Sequence, residues 1–546
     1  MARSNAPGVS LPERHLVSQQ DHAMIQRPDI PRSKFTGSWT RKMSFDQGFL
    51  YPFMVDEVLP GDHLRYDVTV FCRMATLLFP LMDNLRLDTH FFFVPNRIVW
   101  SNWVRMMGEQ DTPSDSIAYT IPLVEAGLSG FGIGSLADYF GIPTASQTDG
   151  TLAPRVNALP FRAYNAIWNA WFRDENLDTT AFIQTGDTLA GVSSYPIRAR
   201  AKSHDYFTSC LPWPQKFTAP TVPIGTTAPV RGIGSPTSGV PGTHSGNVND
   251  VNAGTVRNFA SAWSTGTATV DDVWFDTSGG VYADLSLAAG VSINTLRQAF
   301  LVQELLERDA RGGTRYTELV RSHFGVVSPD ARQQRPEFLG GGSTPVVTTP
   351  IAQTAPTAGV PLGALGGAAT ATGAHRASYA ATEHGYILGL CSVKSELSYM
   401  QGLHKMWWRS TRYDFYWPAL AGLGEQAVLR KEIYWLSNVT PVDDDDVVFG
   451  YQERWHEYRT RTSEVAGLFK GGVDAAGALE PWHLAQRFVS APVLASAFIQ
   501  DAAPMSRVLA AGAAAAGQQF LADFLIRREA VRPIPMYGTP VTLGRF

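Results

Sequence analysis

The chain has 546 residues, of which 44% are hydrophobic, 11% aromatic and only 17% charged. Its net charge of −4 excludes a protein that coats nucleic acid through a uniformly basic surface. Its three cysteines, Cys72, Cys210 and Cys391, form no CxxC pair and no metal-ligand spacing, so we expect buried free thiols. The sequence opens without an apolar leader and contains no run of about 18 apolar residues. We therefore expect a soluble, cytoplasmically made protein without membrane insertion.

Residues 1–44 are polar, interrupted by proline and without hydrophobic periodicity, which predicts an extended arm. The arm holds seven basic and three acidic residues, a net charge of +4 in a chain that is negative overall. Locally concentrated positive charge suits contact with nucleic acid or with a neighbouring subunit. The residues that we nominate for this contact are Arg27, Arg32, Lys34, Arg41 and Lys42. The alternative is a disordered, solvated tail.

Residues 45–217 are predicted to begin a large β structure. Apolar and polar residues largely alternate from Leu64 to Met74 and again from Leu85 to Phe93, as in strands with one face in a core. Between residues 164 and 172, apolar residues recur at helical spacing. This spacing predicts an inserted helix with one buried face.

The composition changes from Thr218 to Val291, where Thr, Ser, Gly, Ala and Pro dominate and aromatics are sparse. Such a segment can bury little core and is predicted to be a long surface insertion. Residues 292–339 are predicted to be helical, with one helix ending at Gly312 and Gly313 and a second over 314–325. Residues 340–382 are rich in Gly, Ala and Thr and are predicted to form a second long loop.

Strand patterns return over residues 383–546, at 384–400, 412–420 and 445–460. A short helix is predicted from Gln518 to Arg527, followed by an extended C-terminal tail. Strands at both ends of the chain, with helices and long loops between them, predict one mainly β domain. Its expected fold is an eight-stranded antiparallel jelly-roll sandwich with long inserted loops and several helices.

Motifs of enzymes are weak or incomplete, and we expect neither catalysis nor a cofactor. The phosphate-binding GxxxxGK[ST] and the nucleophile motif GxSxG are absent, and the pair His456–Glu457 lacks the second histidine of HExxH.

The densest charge run is Asp443, Asp444, Asp445 and Asp446. Carboxylate oxygens suit Ca²⁺, so an interface calcium site is one reading of this run. A solvated turn is the simpler one.

Several long blocks resemble the major capsid proteins of microviruses, the small single-stranded-DNA bacteriophages, and most of all their gokushovirus-like branch. The resemblance is carried by VDEVLPGD (55–62), MDNLRLDTHFFFVPNRIVWSNW (82–103), YNAIWNAWFRDENL (164–177), HDYFTSCLPWPQ (204–215) and EHGYILGLCSVKSELSYMQGL (383–403). With further blocks up to residue 469 it covers roughly half of the chain. Residues 218–291 and 340–382 depart from the family pattern.

The resemblance implies a jelly-roll subunit that assembles with identical copies into a T=1 icosahedral shell around a circular single-stranded DNA genome. It also implies that 218–291 projects at the threefold axes and serves in host attachment. The implied partners are other capsid subunits, the packaged DNA, a small basic DNA-packaging protein and a host receptor. The implied location is the virion, assembled in the host bacterial cytoplasm. The alternative is a jelly-roll carbohydrate-binding or carbohydrate-active protein, which typically has exposed Trp platforms and paired carboxylates.

Overall fold

A computed structural model of the chain describes residues 30–145, 153–220, 293–313, 316–325, 334–355, 361–436, 445–471 and 477–537. It also gives the backbone of six short strands between residues 230 and 283. The chain divides into two compact units. One consists of residues 1–212 and 330–546, and the other of residues 213–329.

Long strands dominate the first unit. In chain order its strands are β1 (Ser33–Phe45), β2 (Phe49–Val58), β3 (His63–Met74), β4 (Leu85–Pro95), β5 (Leu123–Glu125), β6 (Arg155–Asn157), β7 (Ala190–Gly191), β8 (Arg198–Ala199), β15 (Glu337–Ala352), β16 (Leu365–Ala380), β17 (Gly385–Ser395), β18 (Glu425–Leu429), β19 (Val448–Glu453) and β20 (Phe520–Arg532). Its helices are short: α1 (Asn96–Val99), α2 (Trp103–Met106), α3 (Leu136–Phe140), α4 (Leu159–Ile167), α7 (Ser496–Ile499) and α8 (Met505–Val508).

The second unit holds six short strands and two helices within its described residues. The strands are β9 (Val230–Arg231), β10 (Ser235–Pro236), β11 (His244–Ser245), β12 (Asn247–Asp250), β13 (Thr255–Asn258) and β14 (Tyr282–Ala283). The helices α5 (Ile293–Arg311) and α6 (Tyr316–Phe324) lie within the segment that was predicted to be helical. His323 on α6 contacts Asp309 on α5 at 2.6 Å, which links the two helices.

Nine strands of the first unit form one antiparallel sheet in the order β1-β20-β3-β16-β15-β4-β17-β2-β8. The prediction of a mainly β, antiparallel fold is confirmed. The eight long strands fall into two groups of four, β1-β20-β3-β16 and β15-β4-β17-β2, joined by the hairpin of β15 and β16. Consecutive long strands alternate between the groups, except β4 and β15. This is the strand order of a jelly roll, although the sandwich geometry itself stays a prediction.

The main core is shared by strands of both groups, each of which contributes alternate side chains to it. On β3 the even-numbered residues from Leu64 to Met74 are buried and their neighbours are largely exposed. Phe53 on β2 stacks on Phe524 of β20 with ring centroids 4.6 Å apart. One hydrophobic cluster thus joins strands of both groups.

A second core covers the other side of the group β15-β4-β17-β2. Phe92 and Val94 of β4, with Leu388 and Leu390 of β17, face away from the main core and pack on inserted segments. The helix predicted from its spacing supplies much of this cover: α4 is almost wholly buried and continues as a π-helical turn over Trp168–Phe172. The inserted helices therefore shield one outer sheet face from solvent.

Four predictions about local structure were wrong. Residues 33–44 of the predicted arm belong to strand β1, which pairs with β20 along its whole length. Most of the predicted loop 340–382 is the hairpin of β15 and β16, each of 16 residues. Gln518–Arg527, expected to be helical, lies mostly in β20. Residues 412–420, expected to be a strand, form two short 3₁₀ turns.

The strands over 340–382 and 518–527 were missed for one physical reason. Small or helix-favouring residues give a weak local strand signal, whereas pairing with strands distant in sequence decides the outcome. A side chain at Gly341 would overlap the carbonyl oxygen of Thr89, and one at Gly373 would overlap Thr344. The glycines read as loop residues are therefore positions where two strands approach closely.

Candidate nucleic-acid interface

The outer face of the group β1-β20-β3-β16 lies open to solvent, in contrast to the covered face of the other group. Strand register places alternate residues of the four strands on it. The side chains at these positions on β16, such as Thr370, Thr372 and Arg376, are exposed. We call this surface the open sheet face.

The open sheet face is basic, although the whole chain is negatively charged. Its strands contribute six basic side chains and three acidic ones, a net charge of +3. The basic residues are Lys34, Lys42, Arg65, Arg73, Arg376 and Arg527, and the acidic ones are Asp67, Asp523 and Glu529. A flat basic surface of this kind can bind phosphate groups.

Three of the six basic groups on the open sheet face form ion pairs with two carboxylates. Asp67 accepts ion pairs from Arg376 at 2.6 Å and from Arg65 at 3.5 Å. Lys34 pairs with Glu529 at 3.1 Å. Because these pairs are exposed, each contributes little to stability and can open to a competing anion.

Lys42, Arg73 and Arg527 are the other three basic groups of the open sheet face. In the part of the chain that the structure describes, none of the three forms a salt bridge. Phe71 precedes Arg73 by two residues on the same face of β3, and its ring is 45% exposed. An exposed aromatic ring beside unpaired basic groups can stack on a nucleotide base while the cations bind phosphates.

The structure separates the five basic residues nominated from the sequence. Lys34 and Lys42 lie on the open sheet face, and Arg32 is exposed just before β1. Arg27 lies outside the described residues. Arg41 points to the opposite side of β1, where its guanidinium donates to the carbonyl oxygens of Asp138 and Tyr139 at the end of α3. Burial lowers the pKa of Arg41.

Arg41 therefore contacts the end of α3 and, unlike Lys42, does not lie on the open sheet face. The last carbonyl groups of a helix have no partner within it, and a cation there also complements the helix dipole. Residues 1–44 have no strand periodicity, so the sequence alone does not assign adjacent residues to opposite faces. Arg65, Arg73, Arg376 and Arg527 were not predicted as contacts. The alternation in β3 marked Arg65 and Arg73 as exposed, but their neighbours come from β16 and β20, hundreds of residues away.

The described part of the predicted calcium site holds only two of its four carboxylates, since Asp443 and Asp444 lie outside the described residues. Asp446 pairs with Lys431 at 2.6 Å, and Asp445 accepts the backbone NH of Leu436 at 3.1 Å. Across the described ranges, no group of three or more His, Cys, Asp or Glu side chains is placed to hold a metal ion.

The predicted insertion Thr218–Val291 falls in the second unit, and most of it also lies outside the described residues.

One pair of buried carboxylates, Glu432 and Glu457, lines a common pocket with Lys405. Burial raises the pKa of Glu432, whose carboxylate accepts from the hydroxyl of Tyr206 at 2.9 Å. Glu457 accepts from Arg409 at 2.8 Å and from Gln426 at 2.7 Å. Burial alone would raise the pKa of Glu457, but these hydrogen bonds and the charge of Lys405 lower it. Both carboxylates are engaged in structural contacts, as expected of a buried network.

No helix in the described residues combines the length and the apolar character needed to cross a membrane.

Comparison with known proteins gives a consistent result. Residues 23–542 match the family of phage capsid proteins described as capsid protein (F protein). The chain is 42% identical to capsid protein VP1 of Bdellovibrio phage phiMH2K, over 98% of this chain and 100% of that protein. It is 37% identical to capsid protein VP1 of Chlamydia phage 1, over 98% and 99% of the two chains. Capsid protein VP1 of Spiroplasma virus 4 is 35% identical, over 95% and 97%.

These matches span both units of the chain and give no support to the carbohydrate-binding alternative. The match extends through β1 at one end and β20 at the other, so it includes all eight long strands. The protein belongs to the phage capsid protein (F protein) family.

Proposed function

We propose that this protein is the major capsid protein of a small bacteriophage and assembles with identical copies into a T=1 icosahedral shell around circular single-stranded DNA. The observation that carries the proposal is the family match across nearly the whole chain, with similar full-length relatives that are named capsid proteins. The subunit acts by structure and not by catalysis. Its long strands, in jelly-roll order, suit a shell wall.

Electron microscopy of the purified protein, or of particles from infected cells, tests this proposal. Uniform spherical particles with icosahedral symmetry and 60 copies of the chain are expected. Nuclease-protected DNA extracted from them should be circular and single-stranded. A protein that remains monomeric at high concentration and at every salt concentration, with no particles in infected cells, would contradict the proposal.

The open sheet face supports a second part of the proposal, that this face is turned toward the packaged DNA. It is the uncovered and positively charged side of the sheet, and it includes Lys34 and Lys42. Single-stranded nucleic acid is bound by basic surfaces that bear exposed aromatic rings. The small basic packaging protein implied by the resemblance would share this inner space with the genome.

Neutralising the unpaired cations tests the orientation of the open sheet face. The triple variant Lys42→Gln, Arg73→Gln, Arg527→Gln should bind single-stranded oligonucleotides more weakly. Its slope of log affinity against log salt should decrease by about 2, because three phosphate contacts are lost. Particles of this variant should lose DNA at lower salt than wild-type particles.

A matched control replaces three exposed arginines elsewhere: Arg105→Gln, Arg155→Gln and Arg461→Gln. The control has the same net charge as the triple variant, so a general charge effect would appear in both. Equal DNA retention and equal salt slopes in the two triple variants would exclude the open sheet face as the DNA contact.

The remaining proposals concern attachment, location and metal. We place the protein in the virion, assembled in the host bacterial cytoplasm, and assign host attachment to Thr218–Val291. Exchanging this insertion for that of a relative should change adsorption to the host while particles still form. Unchanged adsorption would contradict the assignment of host attachment to this segment.

A calcium ion at Asp443–Asp446 predicts that EDTA lowers the melting temperature of particles and that Ca²⁺ restores it. The variant Asp445→Asn should show no such effect.

A further inference from the structure

Five exposed aromatic side chains of the first unit lie within residues 413–417 and at position 458, and Trp455 joins the two segments through ring contacts with Tyr416 and Tyr458. They are Tyr413, Phe415, Tyr416, Trp417 and Tyr458, with exposed fractions of 68%, 50%, 47%, 42% and 51%. We call them the aromatic patch. Four of them belong to the segment that was predicted to be a strand and that instead forms two 3₁₀ turns.

A buried tryptophan, Trp455, supports two rings of the aromatic patch. Trp455 is 4% exposed and contacts the rings of Tyr416 and Tyr458, with centroids 5.5 and 6.1 Å away. Its indole nitrogen donates to the carbonyl oxygen of Leu420 at 3.1 Å. The backbone of Trp455 has a φ of +70°, a left-handed conformation that is rare and costly for a large side chain.

Arginine side chains pack on three rings of the aromatic patch, those of Phe415, Trp417 and Tyr458. Arg409 lies over Tyr458 at 4.3 Å from its centroid and forms a buried ion pair with Glu457 at 2.8 Å. Arg412 lies over Trp417 at 4.8 Å, and the Trp417 indole donates to the Arg412 carbonyl oxygen at 3.1 Å. Aromatic rings held in this way lose little conformational entropy when a partner binds.

Size and charge identify the kind of partner. Five large aromatic residues, each about half exposed, present on the order of 500 Å² of surface. That is more than half of the roughly 800 Å² that one side of a standard protein interface buries. Nearby charges nearly cancel, since Arg409, Arg412, Arg454 and Arg459 stand beside Asp414, Glu453 and Glu457. A DNA-binding site would need a clear positive excess, whereas Trp, Tyr and Arg are the residues enriched at the energetic centres of protein interfaces.

We infer that the aromatic patch is a contact with a second copy of this chain and one of the main energetic centres of shell assembly. This inference rests on the proposed function, because only an assembling subunit has copies of itself as partners. It adds to that function a specific surface, which neither the family match nor the strand order identifies.

The double variant Tyr413→Ser, Trp417→Ser tests the inference. Both side chains are exposed, so the free subunit should fold and its melting temperature should stay close to that of the wild type. The yield of particles should fall at least about tenfold, because interface residues of this kind dominate binding. The conservative double variant Tyr413→Phe, Trp417→Phe should assemble as the wild type does.

A matched control removes two exposed aromatic residues outside the aromatic patch, Phe217→Ser and Tyr537→Ser, whose side chains are 81% and 80% exposed. This control should retain particle formation. If the variant Tyr413→Ser, Trp417→Ser gives particles at wild-type yield, the inference is wrong even though the protein is a capsid subunit. If the wild-type protein forms no particles, the proposed function itself fails.

Crosslinking provides a test that does not depend on how the variants fold. A photoreactive benzoylphenylalanine at position 413 in otherwise wild-type particles should crosslink to a peptide of a second copy of the chain, detectable as a covalent dimer. Crosslinks to DNA alone, or no crosslink in intact particles, would overturn the inference.

Discussion

At the scale of single residues, close backbone contact determines which glycines of the sheet tolerate a side chain, although these glycines look interchangeable in the sequence. Gly341 on β15 faces the backbone of β4, and a side chain there would overlap the carbonyl oxygen of Thr89. Gly37 on β1 has nothing within 4 Å of the place where a side chain would begin. Two glycines in strands of the same sheet therefore have different tolerance to substitution.

We expect Gly341→Ala to lower the free energy of unfolding by about 1–3 kcal/mol, because the two strands must move apart. Gly37→Ala should leave it unchanged or raise it by up to about 1 kcal/mol, since alanine restricts the unfolded chain. Urea denaturation of the free subunits measures both effects. Equal values for the two variants would mean that β4 and β15 pack less closely than the structure indicates.

His90 is a second residue whose behaviour depends on its tertiary surroundings. It lies on β4 near the rings of Phe172 and Phe338, 5.4 and 6.2 Å away. Burial, reinforced by the positive charge of Arg200, lowers the pKa of His90 to about 4. Between about pH 6.5 and 4 the unfolded chain therefore binds a proton at His90 that the folded chain does not bind. The free energy of unfolding consequently falls as pH decreases through this range.

His90→Phe should remove this contribution. Wild-type subunits should lose about 3 kcal/mol more stability than the variant between pH 7 and pH 4. Denaturant titrations at the two pH values measure the difference. The pKa shift assigned to His90 would be wrong if its variant lost stability in acid as steeply as the wild type.

At the scale of elements, β1 places adjacent residues of the same charge on opposite faces. Arg41 donates to the end of α3 on the inner side, whereas Lys42 lies on the open sheet face. Adjacent residues of the same charge are therefore expected to have separate roles, one in stability and one in DNA binding.

Two single substitutions separate these roles. Arg41→Gln should lower the free energy of unfolding by about 1.5–3 kcal/mol, the value of charge-assisted hydrogen bonds, and leave oligonucleotide affinity unchanged. Lys42→Gln should change stability by no more than about 0.5 kcal/mol and weaken oligonucleotide binding. Paired measurements of unfolding and DNA affinity check both variants. The reverse pattern would mean that the two faces of β1 have been assigned incorrectly.

At the scale of the whole molecule, the first unit is closed by strands from the two ends of the chain. β20 lies between β1 and β3 and pairs with both. A chain ending after residue 519 would leave two unpaired strand edges and an open core, so it should be insoluble. A chain ending after residue 537 retains β20 and should fold. The soluble fraction and far-UV circular dichroism distinguish the two, and a soluble, folded 519-residue chain would contradict the role of β20.

The fold was predictable where the local pattern was strong. The alternation in β3 and the helical spacing of α4 are properties of neighbouring residues, and the structure agrees with them. The alternation from Leu85 to Phe93 also predicted a strand correctly, but both faces of β4 are buried, because inserted segments cover its second face. Residues 340–382 and 518–527 were wrongly assigned because glycine, alanine and charged residues give no strand signal of their own. They become strands only because a partner strand lies on either side of them.

The same distinction between local pattern and tertiary contact applies to the candidate interface. By itself, the sequence determined the strands of strong alternation, the family resemblance and the concentration of positive charge near the N-terminus, because these depend on residue identity and short spacing. Only the tertiary structure decided that Arg41 turns inward, that Arg73 and Arg527 join Lys42 on one face, and that Trp417 stands exposed. Each of these facts requires residues from distant parts of the chain to meet, and a one-residue change of strand register would move every side chain of that strand to the other face.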